Sequence, residues 1–528
     1  MAERVCHGDT IRVKVNNQLA DGGDIAIHWH GIHQFQTVWM DGVAMITQCP
    51  IPFATSFVYK FVADPPGTHW WHSHTGVQRG EGMYGPLIVR SPKTIESNSN
   101  LYDVDILDHV MIIYDWTSNL VFDNYVSSIT GALTYQHTLS ILINGKGRNS
   151  QYYYYDEAND KDVYTPRSVF EVEEGLRYRM RIINSAFGDC NVQITIEDHP
   201  MTIIATDGYE IHPVTVDSLI VVPGERFDIV IEASLKPSSY CIYLNPVPNI
   251  LCETNSSAIL KYRSAEIVDL NCDLGYRGKT VFTSMQIHNI NEDLNRDDYY
   301  TFNDTQSYEP VDPDLENVDE MYYMTTDWVI FHFSSNSQNS TNHTYPRMQI
   351  NNVEFKLPEK PFISSLDTNV DICQPGVNSS LFDYCRMHMC HCTNVIKLKI
   401  GKVVELVLFD TMNVAPHPMH MHGQSFRVLA QEATDSHLTL DDVKELDKQG
   451  KINRIPVERS VIKDTMNLPK NGYAVIRWKP ENPGYWFFHC HVDYHGLGGM
   501  TIVVQVGDDD EIPKPPKDFP SCGPWSPD

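Results

Sequence analysis

Apolar and polar residues alternate over short runs along most of the chain. In TIRVKV, Ile11, Val13 and Val15 share one face while Arg12 and Lys14 take the other, the two-residue period of a half-buried strand. Runs of this kind recur as MTIIAT (201–206), FDIVIEA (227–233), VVELVLF (403–409), YAVIRW (473–478) and TIVVQV (501–506), punctuated by Gly, Pro, Asn and Asp. One segment has helical spacing instead: after a capping Thr439, LDDVKELDKQG places Leu440, Val443, Leu446 and Asp447 in register, and Gly450 stops it. The pattern predicts an all-β protein of sandwich or barrel domains, with that helix inserted between strands.

At 528 residues the chain exceeds what one hydrophobic core usually organises. Two polar stretches, SPKTIESNSN (91–100) and the acidic run 291–320, divide the strand-rich blocks. The expected domains are 1–105, 106–290 and 321–528, with 291–320 as an acidic linker. A formal net charge of -28 argues against nucleic acid or an anionic membrane as partner, because cationic surface supplies most of that affinity. No apolar run approaches the roughly 18 residues of a membrane-spanning helix. Twelve cysteines and five Asn-x-Ser/Thr sequons, at Asn255, Asn303, Asn339, Asn342 and Asn378, predict a secreted glycoprotein with disulfides. Met1 is followed at once by Glu3, Arg4 and a strand-like run from Val5, with no signal peptide. The first domain is therefore expected to be truncated at its N-terminus, which would also explain the odd cysteine left once Cys490 is set aside.

The chemistry concentrates in four His-x-His pairs: His28 and His30, His72 and His74, His420 and His422, His489 and His491. On an extended strand residues i and i+2 point the same way, so each pair can offer two imidazoles to one locus. A single pair is more often surface or satisfied core; four pairs, two early and two late, point to a shared metal cluster. Cys490 faces away from His489 and His491, and with His417, His495 and the more distant Met500 it supplies two histidines, a thiolate and a thioether. That is the ligand set of a blue copper electron-transfer centre, whereas structural zinc takes a closed set without a distant thioether. Electrons entering at the Cys490 thiolate would cross one residue's backbone to reach the histidines beside it, an arrangement suited to reducing dioxygen to water.

The motifs HWHGIHQFQTVWMDGV, GTHWWHSHTG, HPMHMHG and HCHVDYHGLGGM, in this order, resemble those of the multicopper oxidases, and within them the laccases, over essentially the whole chain. WMDGV followed by TQCPI, the LDDVKELDKQGK insertion and NPGYWFFHCH look most like laccases of animals. The resemblance implies three cupredoxin-like Greek-key β domains and four copper ions. His417, Cys490 and His495, with axial Met500, match the type 1 ligands; His28 and His420 match the type 2 ligands. His30, His72, His74, His422, His489 and His491 match the binuclear type 3 pair. An axial Met rather than Leu or Phe implies a type 1 potential toward the family's lower end. The implied reaction is one-electron oxidation of phenols, diphenols or aromatic amines, coupled to four-electron reduction of dioxygen to water. The expected partners are a small reducing substrate and O2, with the chain a monomer.

Further residues follow from the same resemblance. Asp41 and Asp493 match acids that relay protons or orient water at the cluster, and His495 is the expected entry point for electrons. Asp207 matches a second-domain carboxylate that accepts a hydrogen bond from a phenol; the plainer reading is an Asp-Gly turn, and Glu210 could serve the same purpose. Asp464 is expected either to orient a type 1 histidine or to hold a turn. Cys385, Cys390 and Cys392, interleaved with His388 and His391, read as disulfide cysteines rather than another metal site. Two other readings remain: a ferroxidase or ascorbate-oxidase-like enzyme on the same scaffold, and a copper-binding protein without turnover.

Overall fold

The computed structural model describes residues 3–522 apart from 130–139, 149–152, 248–251, 253, 267–269, 271, 273–279, 284–298, 334–342, 365–371, 375–378, 412–413 and 435–436. The alternating runs become strands within a residue of the expected bounds: Thr10–Asn16, Met201–Thr206, Arg226–Glu232, Val404–Asp410, Gly472–Trp478 and Thr501–Val506. They build three successive β-sandwiches, each from two sheets. The first pairs Thr10–Asn16 with Ser56–Val62, over a sheet in which Ile27–His30 lies beside Gly67–Ser73. The second and third each pack a six-stranded sheet on a seven-stranded one. Strands such as Arg226–Glu232 and Val404–Asp410 are buried almost throughout, as expected of central strands covered on both faces.

The inserted helix spans Leu440–Lys448. The Thr439 hydroxyl accepts from Asp442 N–H while the Asp442 carboxylate accepts from Thr439 N–H, so two otherwise orphan donors are satisfied. Val443 is fully buried, with Leu440 and Leu446 packed against the same third-domain cluster as Val407, Leu429 and Tyr473.

The polar connectors are packed rather than loose. Asn98, in the first, donates to the carbonyls of Ile204 and Ile211, and Glu210 accepts from the backbone of Ser97 and Asn98. Glu210 thus fastens a connector and is not a substrate group. Residues 299–320 of the expected linker also pack: Phe302 lies buried against Phe227 and Phe282, and Ser307 N–H donates to Ser460 O. The acidic composition there reflects solvent-facing positions on a segment pinned by a few buried ones.

Ten cysteines form five disulfides, Cys49–Cys522, Cys190–Cys252, Cys241–Cys272, Cys373–Cys392 and Cys385–Cys390, leaving Cys6 exposed and Cys490 buried. The cysteine-histidine cluster at 385–392 is therefore disulfide-bonded. Cys49–Cys522 ties the tail of the third domain to the first, where Phe519 packs against Phe57. Asn255 and Asn303 are exposed; the other three sequon asparagines lie outside the described residues.

A buried ion network joins the first two sandwiches. Asp228 accepts from Arg179 Nε at 2.9 Å, Arg181 Nη1 at 3.1 Å and Thr68 Oγ1 at 2.5 Å, and Arg181 pairs with Asp105 at 2.7 Å. Removing one partner of a buried pair strands the other charge, at a cost of about 3–5 kcal/mol, whereas exposed pairs contribute about 1 kcal/mol or less. Asp228→Ala should lower stability by that larger amount in denaturant unfolding, and Glu173→Ala, on the exposed Arg263 pair, by less than about 1 kcal/mol. Equal effects would show that the network carries no special load.

Candidate metal centre

Two antiparallel strand pairs supply the histidines. Ile27–His30 runs against Gly67–Ser73 with His28 opposite His72, and His417–Met421 runs against Gly484–Cys490 with His420 opposite His489. His74, His422 and His491 follow directly on strand ends. The first domain thus brings four imidazoles to meet four from the third. The rings of His28 and His422 stack at 3.7 Å, as do those of His30 and His420.

The nitrogens sort into groups whose candidate ligand atoms lie within 4.8 Å of one another: His28, His30 and His420; His30, His72 and His491; and His74, His422 and His489. A fourth group, His417, Cys490 and His495, lies on the opposite side of the Gly484–Cys490 strand. Cys490 Sγ is 3.8 Å from His417 Nδ1 and 3.5 Å from His495 Nδ1. Met500 is fully buried beside it, and Cys490 N–H donates to Met500 O at 3.0 Å.

The tautomers are set by the backbone. Nδ1–H of His28, His72 and His420 donates to the carbonyls of Asp41, Ser73 and Asp464, at 2.8, 2.9 and 3.0 Å. Nε2 of each is buried without a hydrogen-bond partner among the described residues, as is His30 Nδ1. A buried lone pair with no partner is costly, and a metal ion resolves it, so the donor set fits copper. Burial first, then neighbouring positive charge, pushes the pKa values of His72, His74, His422 and His491 well below the ordinary range, which favours the neutral, ligating form.

Carboxylates and guanidinium groups close around the histidines. Asp41, fully buried, places Oδ2 2.9 Å from His422 Nδ1 and Oδ1 3.3 Å from His28 Nδ1. Asp493 pairs with buried Arg79 at 2.7 Å, and Arg79 also donates to the His491 carbonyl. Burial raises the Asp493 pKa to about 6, opposed by Arg79. Asp41 thus meets two cluster histidines directly, whereas Asp493 reaches the cluster through Arg79. His495 is 7% exposed, with the Trp328 ring 6.4 Å away.

Two expected placements are corrected. Asp207 is fully buried, paired with Lys463 at 3.1 Å and accepting from the backbone N–H groups of Arg226 and Thr465, so it is not open to a phenol. With φ of +48° at Asp207 and +93° at Gly208, it forms a tight two-residue hairpin turn, the plainer reading of its Asp-Gly pair. Asp464 lies 3.4 Å from both His30 Nε2 and His420 Nδ1, at the cluster rather than the Cys490 site. The acid beside a Cys490-site histidine is Asp410, 3.6 Å from His417 Nε2, which leaves Nδ1 toward Cys490 Sγ. Arg79 and Arg226 escaped sequence reasoning because nothing local in QRGEG or PGERFD says what lies across a domain boundary, and Asp410 because nothing in VLFD says that His417, on the next strand of the same domain, lies beside it.

Three comparisons with known proteins agree with this geometry. Family profiles described as multicopper oxidase match residues 3–94, 108–265 and 304–510. Laccase-4 of Trametes villosa is 30% identical over 510 residues, spanning 94% of this chain and 82% of that protein. The crystal structure of a laccase from Botrytis aclada superposes with a TM-score of 0.69 at 25% identity, covering 96% of this chain and 82% of that one. Fet3p, a multicopper oxidase that functions in iron import, shares the fold with a TM-score of 0.70 at 22% identity, covering 96% and 84%.

The depressed histidines make the metal-free protein acid-sensitive. His30, His72, His74, His420, His422, His489 and His491 all have folded pKa values below the ordinary 6.5, so in that range the unfolded chain binds more protons than the folded one. Stability should therefore fall as pH drops from about 6.5 to about 5. Asp115, Asp189 and Asp493, raised by burial to about 7, 6 and 6, act in the opposite sense but are outnumbered. Thermal unfolding of chelator-stripped protein across this window should show Tm decreasing with acidification; a flat or rising Tm would mean that the imidazoles are not buried together.

Proposed function

The chain belongs to the multicopper oxidase family, and from that premise we propose that it is a laccase-type enzyme taking single electrons from phenols, diphenols or aromatic amines and reducing dioxygen to water. Copper, bound as one type 1, one type 2 and two type 3 ions, supplies the one-electron acceptor and the dioxygen-reducing centre. His417, Cys490 and His495, with the buried Met500, would hold the first; His28 and His420, with the triads His30–His72–His491 and His74–His422–His489, would hold the others.

The reading rests chiefly on the bond pattern at Cys490. Its thiolate joins one site while its two sequence neighbours join the other, and His489 Nδ1–H donates to Cys490 O at 2.9 Å, so a hydrogen bond runs beside the peptide. His495, 7% exposed and with the Trp328 ring 6.4 Å away, is the point at which a substrate outside can meet the site. Asp41 and Asp493 are the acids placed to hold and pass the protons that water formation consumes. The five disulfides and the exposed Asn255 and Asn303 support a secreted, glycosylated protein, which we take to be a monomer.

Cys490→Ser should remove the blue colour of the copper-thiolate bond and phenol oxidation together, and surviving phenol oxidation would sink the mechanism. Oxygen consumption by the purified holoenzyme, compared for a diphenol, Fe(II) and ascorbate, should give the highest kcat/KM with the diphenol. Preference for Fe(II) or ascorbate would instead identify a ferroxidase or ascorbate-oxidase-like enzyme.

A further inference from the structure

Among the described residues the second domain lends no ligand to the cluster, yet its Arg226 reaches, through Asp464, histidines of both other domains. We infer that Arg226 is a positioning residue that fixes His30 and His420 through Asp464, an inference that rests on the functional reading above. Arg226 is fully buried, and its two Nη atoms donate to the two oxygens of Asp464 at 2.6 Å each, a bidentate fork. Its remaining donors are anchored on the carbonyls of Thr68, Gly224 and Asp207, at 3.1, 3.3 and 3.2 Å. The guanidinium therefore cannot swing, and neither can the carboxylate it grips.

One edge of that carboxylate does the positioning. Asp464 Oδ1 lies 3.4 Å from His30 Nε2 and 3.4 Å from His420 Nδ1, and accepts from Thr465 Oγ1 at 2.8 Å. The same hydroxyl oxygen lies 3.2 Å from His30 Nε2 and 3.1 Å from His420 Nδ1. A ligand from the first domain and one from the third thus lie against a single residue held by the second, His30 at its carboxylate edge and His420 at both that edge and the Asp464 carbonyl, 3.0 Å away. This leaves His30 Nδ1 and His420 Nε2, the nitrogens without partners, turned to the cluster.

The motif glycine after His30 belongs to this device. A Cβ on Gly31 would stand 2.6 Å from Arg226 Nη2 and 2.2 Å from His69 Nδ1, so the arginine occupies the room that the missing side chain leaves. A lysine could not replace it, since an ammonium is a point charge and does not hold two oxygens in one plane. The neighbouring Lys463 shows the contrast: its Nζ serves two separate carboxylates, Asp207 at 3.1 Å and Glu225 at 3.2 Å.

The test compares holoenzyme carrying Arg226→Gln, Arg226→Lys or the near-isosteric Asp464→Asn with the unmodified protein. Readouts are copper retention against a chelator, the type 2 copper EPR signal, the blue band, and bleaching of that band by a diphenol without oxygen. All three variants should lose cluster copper about 10- to 100-fold more readily, with a diminished type 2 signal. The blue band and its anaerobic bleaching should stay unchanged, because none of the contacts of Arg226 reaches Cys490. Wild-type copper retention in Arg226→Lys would overturn the inference by showing that charge alone suffices, as would parallel loss of the blue band and cluster copper, which marks a merely structural role. Should Arg226→Gln fail to fold, Asp464→Asn decides. Failure of the unmodified protein to bleach with a diphenol would count against the functional reading alone, since the chelator competition reads Arg226 independently.

Discussion

Eight imidazoles are pressed together in a water-poor cleft between two domains, and most of the surrounding architecture follows from that crowding. Lone pairs without partners, in rings stacked at 3.7 Å, give the cleft no internal solution to its own polarity. Backbone carbonyls fix one nitrogen of His28, His72, His420 and His489, buried acids hold the edges, and metal answers what remains. The same crowding holds seven of the rings toward the neutral form. Protonated, His30, His72, His74, His420, His422, His489 or His491 would sit desolvated among other imidazoles, all but His422 also near Arg79 or Arg226, so the cleft favours the form that binds copper.

Strand geometry turns this cleft into one half of a two-site machine. Because side chains alternate across a strand, three consecutive residues address two loci, with Cys490 on one side and His489 and His491 on the other. The distance between the sites is thereby a property of the backbone, insensitive to loop length or domain motion. The partner strand His417–Met421 repeats the arrangement, with His417 and His420 in register against Leu468 and Thr465 and serving different groups.

What the sequence reveals of this is what is local. Periods of two and 3.6 place the strands and the capped helix, and His-x-His spacing names the eight histidines of the cluster, because each signal is contained within a few residues. Asp207 shows where local reasoning stops: its Asp-Gly turn is legible, but its burial against Lys463 depends on a strand some 250 residues away, as the Asp207–Thr465 separation of 258 indicates. The place of Asp464 beside His30 and His420 is hidden for the same reason, since Lys463 and Thr465 give no hint of an arginine arriving from another domain. Composition misled at 299–320 as well, where acidic residues conceal the buried Phe302 and Leu315 that pin the segment.

The bridge between Cys49 and Cys522 spans 473 residues and closes the first domain onto the tail of the third, the two domains that share the histidines. Seen mechanically, the cluster lies between the jaws of a clasp whose latch is covalent. A force prising those domains apart would be borne by sulfur and by the packing of Phe519 on Phe57 before it strained any imidazole. An oxidising environment therefore does more for this protein than preserve a fold: it keeps the load path away from the metal ligands.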